Sequence, residues 1–149
     1  MKPFISSLEI FTLCHATENS EKVKRSIMNL LPFSIKTLYE SLIDVTLLEG
    51  HYGNPIFFLK LKIDNSVHAT LIIKHLMKNL DPSDILNLET AIDLHQDSSG
   101  NLYLRFDKQQ AYLGRVKLNK GDDVIKIKIR FKPFARQEFK SRGLRVFLE

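Results

Sequence analysis

Near the C-terminal end the stretch Val124 to Lys132 reads VIKIKIRFK, and this alternation constrains the fold more than any other feature of the chain. Successive side chains of a strand point to opposite faces. Ile125, Ile127, Ile129 and Phe131 therefore share one face, while Lys126, Lys128, Arg130 and Lys132 share the other. The stretch predicts a strand that is apolar on one side and cationic on the other. Same-face neighbours lie about 7 Å apart, close to the spacing of successive phosphates on an extended nucleic-acid strand, about 6 to 7 Å. Four cations in register can follow such a backbone. Lysines on an exposed or edge strand can equally serve only to block strand-on-strand aggregation, so the rest of the chain has to decide.

Charge distribution bears on that choice. The formal net charge is +5, but residues 108 to 149 hold 12 Lys and Arg against four acids, a net of +8, which leaves −3 for everything before. Such segregation predicts an anionic partner for the C-terminal third, with nucleic acid or an anionic membrane surface as candidates. At 149 residues the length suits one domain with a sizeable core. The single cysteine, Cys14, cannot close an intrachain disulfide. Ser6, Ser7 and Glu9 interrupt any signal-peptide core, and no apolar run is long enough to span a bilayer. A cytoplasmic protein without membrane partners is expected.

Taken in order, Ile5 to His15 reads as a central strand covered on much of both faces, with Leu8, Ile10 and Thr12 on one side and Phe11 and Leu13 on the other. Thr17 to Ser20 supplies capping residues for a helix with Val23, Ile27, Leu30 and Leu31, which Pro32 stops. Leu42 to Glu49 and Ile56 to Ile63 are strand-like and flank Gly50-His51-Tyr52-Gly53-Asn54-Pro55, a hairpin connection that calls for positive φ. Asn65 or Ser66 caps a second helix, and Asp81-Pro82 starts a third that continues through Ile85, Leu88 and Ile92. Leu102 to Phe106 alternates as a strand, followed by a short helix between Asp107 and Gly114. Phe134 to Arg142 reads as a last helix ended by Gly143.

This order of elements predicts a two-layer α+β fold, a mainly antiparallel sheet with helices packed on one face. Residues 1–132 form the domain and residues 133–149 a basic C-terminal extension. The uncovered sheet face would carry Lys60, Lys62, Tyr103, Arg105, Lys126, Lys128 and Arg130.

Three stretches carry a resemblance to a known family: Cys14-His15-Ala16-Thr17-Glu18, Gly50 to Pro55, and Leu102-Tyr103-Leu104-Arg105-Phe106-Asp107-Lys108-Gln109-Gln110-Ala111-Tyr112-Leu113-Gly114. Over about Ile5 to Phe131 the chain resembles an archaeal family of RNA-binding proteins associated with the exosome as subunits. The resemblance implies a domain similar to the large-subunit ribosomal protein that binds 5S ribosomal RNA, with RNA as partner.

The motif residues have a physical reading of their own. His51, Tyr52 and Asn54 lie in a glycine-rich loop whose backbone N–H groups can approach phosphates, and Tyr or His rings can stack on unpaired bases. The alternative is a tight turn in which His51 merely satisfies a carbonyl. Lys108, Gln109 and Gln110 open a helix, a position that favours anions; alternatively Asp107 is only a cap, and Gln109 bonds the His51 loop. Adjacent Cys14 and His15 point to opposite faces and cannot share a metal, and no motif for a nucleophile or a P-loop is present.

The expectation is thus a non-catalytic RNA-binding protein without cofactor or metal. Lys126, Lys128, Arg130, Lys132, Lys60, Lys62 and Arg105 would contact phosphates, as would Lys108 with Gln109 at the helix start; Tyr103, His51 and Tyr52 would offer stacking or edge contacts, with Asn54 beside them in the loop. The alternatives are a protein-interaction subunit of an RNA-processing assembly, or a metal-dependent nuclease.

Overall fold

The computed structural model describes residues 4–50 and 52–148, the last by its backbone only. Five strands form one antiparallel sheet: β1 (Ile5–His15), β2 (Asp44–Glu49), β3 (Pro55–Ile63), β4 (Leu102–Asp107) and β5 (Val124–Phe131), in the order β2-β3-β1-β5-β4. Among the described residues seven α-helices accompany them: α1 (Ser20–Met28), α2 (Phe33–Tyr39), α3 (Ser66–Asn79), α4 (Pro82–Thr90), α5 (Lys108–Tyr112), α6 (Pro133–Arg142) and α7 (Arg145–Leu148).

The apolar alternation sets the register. Ile10 of β1 lies between Leu61 and Ile127, and Ile127 pairs in turn with Leu104, so four fully buried residues form one row across four strands. The next row runs Ile63, Leu8, Ile129, Leu102, again without exposure. Against this face α3 lays Ala69, Ile72, Ile73 and Leu76, and α1 lays Val23 and Ile27. Each such aliphatic side chain contributes about 1.5 to 3 kcal/mol on burial. A one-residue slip of β3, β4 or β5 would turn its apolar set to water and its cations into the core.

Helix starts follow their caps. Asn19 accepts from the N–H groups of Glu21 and Lys22 at 2.9 and 3.2 Å, Asn65 from His68 N at 3.0 Å, Asp81 from Asp84 N at 2.8 Å, and Asp107 from Gln110 N at 2.8 Å. In the β2–β3 turn Glu49 pairs with Pro55, Gly50 N donates to Asn54 O at 2.7 Å, and Gly53 takes φ 77°. The expected hairpin with positive φ is present.

Several boundaries differ from the sequence reading. The first helix ends at Met28 rather than reaching Leu31, and Pro32 then begins α2, which the apolar pattern did not reveal. The third helix stops at Thr90, and residues 92–95 form a separate 3-10 turn. Strand β1 is central but is not covered on both sides: Ser7, Glu9 and Phe11 are half-buried and Leu13 is exposed.

Residues after Lys132 fold back onto the sheet. Ala135, Phe139, Leu144, Val146 and Phe147 join the same core, and the Phe131 ring lies 4.7 Å from that of Phe139 and 6.0 Å from that of Phe147.

Candidate nucleic-acid interface

With α3 and α1 on one side of the sheet, the residues between the buried ones face away from the core. Register places them in two neighbouring rows. One runs Asp44, Lys60, Phe11, Lys126, Arg105 across all five strands. The other runs Lys62, Glu9, Lys128, Tyr103 across four. Ser7 opposite Arg130 continues the face beyond them. Strands are about 4.8 Å apart, so Lys60, Lys62, Arg105, Lys126, Lys128 and Arg130 form a patch of six cations on one side of the sheet. The structure brings together here seven of the residues singled out from the sequence, the six cations and Tyr103.

Their surroundings differ. Lys62 and Arg130 are exposed, whereas Lys60, Lys126 and Lys128 are half-buried, their stems lying on the sheet. Arg105 is held in place: its guanidinium donates to Gly121 O and lies 3.9 Å from Asp122. The Tyr103 hydroxyl donates to Asp97 at 3.1 Å. Burial, and then the bond to Asp97 and the charges of Asp97 and Glu9, push the phenol above its ordinary pKa. Lys132 lies just past β5, half-buried, as the residue preceding α6.

Two expected contacts take other positions. Lys108 is buried, and its ammonium is consumed within the fold. It donates to Leu13 O at 2.8 Å and to both Glu18 oxygens at 3.2 Å, and lies 2.9 Å from Asp123. Nor is the start of α5 open to an anion: Gln110 N is capped by Asp107, and Lys108 N bonds Asp123 O at 3.4 Å. A phosphate contact by Lys108 would require breaking this network. Gln109 is exposed, but its amide donates to Asp123 at 3.1 Å rather than bonding the β2–β3 turn. Burial pushes the Asp123 carboxyl up, yet hydrogen bonds from Lys108 and Gln109 outweigh it and hold the group below its usual value.

Tyr52 projects from the β2–β3 turn, 91% exposed, and Asn54 is exposed beside it. A Cβ on Gly50 would lie 2.5 Å from Asn54 Oδ1, so any larger residue there would have to move the Asn54 side chain. His51 lies outside the described residues. The turn sits at the same end of the sheet as His15, which pairs with Ile56.

Three residues of the face were missed in the sequence reading. Glu9 sits at the centre of the cations, between Lys62 and Lys128 and 3.6 Å from Lys60. Phe11 and Phe58 line a cleft of about 390 Å³ together with Leu13, Val124, Lys126, Arg105 and the acid Asp122. Strand parity carried that signal, because Glu9, Phe11 and Leu13 alternate with the core residues of β1.

Among the described residues, no three His, Cys, Asp or Glu side chains gather where they could hold a metal ion, and no helix is long and apolar enough to cross a membrane.

Fold and face together define a class: a two-layer α+β domain whose sheet carries helices on one side and a cationic surface on the other. A family model described as RNA binding matches residues 7–131, and the chain belongs to this RNA-binding family. It is 35% identical over 144 residues to the RNA-binding protein PAB1135 of Pyrococcus abyssi, covering 96% of this chain and 93% of that one. The crystal structure of AF2318 from Archaeoglobus fulgidus, assigned to the DUF54 family, superposes with a TM-score of 0.78 at 32% identity, over 92% of this chain and 97% of that one. Mth689 of Methanothermobacter thermautotrophicus, a DUF54 protein, gives a TM-score of 0.72 at 25% identity, over 98% and 99% of the two chains. The relatives are archaeal.

Proposed function

We propose that this protein binds RNA without catalysing its reaction, through the cationic face of the sheet. The observation that carries this reading is the register: it aligns Lys60, Lys126 and Arg105 in one row and Lys62 and Lys128 in the next, on the side opposite α1 and α3. Long cationic side chains on a rigid sheet neutralise phosphates without reading sequence. Arg130 and Lys132 extend the path along β5, and Tyr52, Asn54 and His51 border it at the turn. A nuclease acting through metal ions needs converging carboxylates; among the described residues none converge. In the cytoplasm such a domain would serve as an accessory factor in RNA processing, with the exosome as the assembly suggested by the sequence resemblance.

The test is binding against salt for single-stranded RNA, duplex RNA and duplex DNA of equal length. RNA preferred over DNA, with affinity falling steeply as salt rises, is the expected result. Replacing Lys126 and Lys128 by Ala should weaken binding and flatten the slope; unchanged binding would remove this face from the function.

A second reading has its own observation. All six residues of β2 are exposed at a sheet edge, with Val45 and Leu47 on its core-side face uncovered and Leu42 and Leu48 nearby. An exposed apolar edge strand is where another chain adds. If the protein is chiefly an interaction subunit, Leu47→Lys will abolish its association with RNA-processing proteins while RNA affinity stays unchanged.

A further inference from the structure

We propose that the cleft on the open sheet face holds an unpaired nucleotide base, stacked on Phe11 and Phe58, so that the ligand is single-stranded RNA. The proposal rests on the RNA-binding reading and specifies which form of RNA the site takes.

Phe11 occupies the middle of the central strand on the side away from the core, where an aromatic ring gains nothing from the hydrophobic interior. Its direct neighbours across the sheet are Lys60 on β3 and Lys126 on β5. Phe58 lies diagonally beside it, with ring centroids 5.9 Å apart and planes inclined by 44°. At that inclination neither ring covers the face of the other, and both remain half-exposed. Leu13 adjoins them, paired with Phe58 and 39% exposed. The cleft of about 390 Å³ falls in the range of small-ligand sites, roughly 300 to 1,000 Å³.

A solvent-facing apolar floor with a cation on each side has few chemical complements. A hydrocarbon ligand would leave Lys126 at the cleft's edge facing no anion, and a duplex backbone would meet the cations but leave the rings uncovered. A single-stranded nucleotide satisfies both: its base covers an aromatic face and a flanking phosphate meets Lys126. In A-form duplex the bases are already stacked on one another and cannot reach the floor. Two acids lie near the cleft and each already faces a cation: Glu9, in the neighbouring row, is 3.6 Å from Lys60, and Asp122, which lines the cleft, is 3.9 Å from Arg105, so Lys126 is left to meet a phosphate.

The chain contains no tryptophan, so Phe11→Trp creates a single reporter at the cleft. Titrated with a short oligouridylate, this variant should show quenched emission; with a blunt RNA duplex its emission should stay unchanged. Phe11→Leu and Phe58→Leu, which keep the apolar volume but remove the ring, should each weaken oligouridylate binding about 10-fold or more while leaving duplex affinity and the salt slope unaltered. Far-ultraviolet circular dichroism and thermal melts establish that each variant is folded. If wild-type protein binds neither RNA, the RNA-binding reading itself fails. If it binds RNA but the folded leucine variants lose nothing, or lose single strand and duplex equally, the stacking site is overturned while the cationic face stands.

Discussion

At Lys108 a charged side chain is only 4% exposed, yet all of its donors are answered by Leu13 O, Glu18 and Asp123. Taking away one member of such a group strands the others, at a cost of 3 to 5 kcal/mol in a fully buried pair, as a rough figure. Here Asp123 is half exposed and can be rehydrated, so Lys108→Met should cost about 2 kcal/mol, read as a lower urea midpoint, with little change in RNA affinity once folded. Asp123 also gives a pH signature. Its folded pKa lies below the unfolded value of about 3.9, so its contribution is complete above that pH and is lost as pH falls through the folded value. The stability gap between wild type and Asp123→Asn should therefore be constant from neutrality down to about pH 4 and close below it. Glu9 acts in the opposite sense: it places a negative charge among the cations proposed to meet phosphates, so Glu9→Gln should tighten RNA binding several-fold at low salt and less at high salt. The identities of these residues were plain in the sequence, and so was the parity of Glu9 and Phe11. What was hidden is the meeting of Lys108 with Glu18 and Asp123, because nothing local shows that residues far apart along the chain will converge on one ammonium.

Elements were legible where one period dominated. The alternation in β5 and β3 predicted strands, their faces and their cations, and Asn65, Asp81 and Asp107 marked helix starts that the cap hydrogen bonds now explain. Helix α2 escaped because it buries only Ile35 and Tyr39, while Phe33 and Leu38 stand in solvent, and because Pro32 reads equally as the end of one helix and the start of the next. The two sheet edges also differ in a way that patterning does not reveal. Strand β4 is covered at both ends by bridges from Gln96 to Leu102 and from Leu118 to Phe106, whereas β2 has no such cover among the described residues. The C-terminal helices are a further case. Cations at Arg136, Lys140, Arg142 and Arg145 marked this stretch as a basic extension, and within it Phe139 is 4% exposed and stacks on Phe131. Phe139→Ala should thus cost about 3 to 5 kcal/mol, seen as a lower denaturation midpoint with an unchanged slope. A loss below about 1 kcal/mol, the range of surface substitutions, would mean that residues after Lys132 do not complete the core.

For the molecule as a whole, the layered fold turns a modest net charge into a sided one. One layer of the domain shows the Lys60, Lys62, Lys126 and Lys128 rows, and the helical layer opposite shows other cations, among them Lys140 and Arg145. A titration curve would count these alike; an RNA strand would not, because charges screen over about 8 Å at physiological ionic strength and counterions are released only where phosphates are neutralised. Each phosphate contact on a single strand adds about −0.7 to the slope of log affinity against log salt. Replacing Lys126 and Lys128 together by Ala should therefore flatten the slope by about 1.4. Replacing Lys140 and Arg145, an identical change in net charge, should leave the slope where it was and shift affinity less than two-fold. Equal flattening by both pairs would show that RNA responds to the total charge of the protein and not to the sheet face, and the register that aligns those lysines would then serve only to keep one side of the sheet in water.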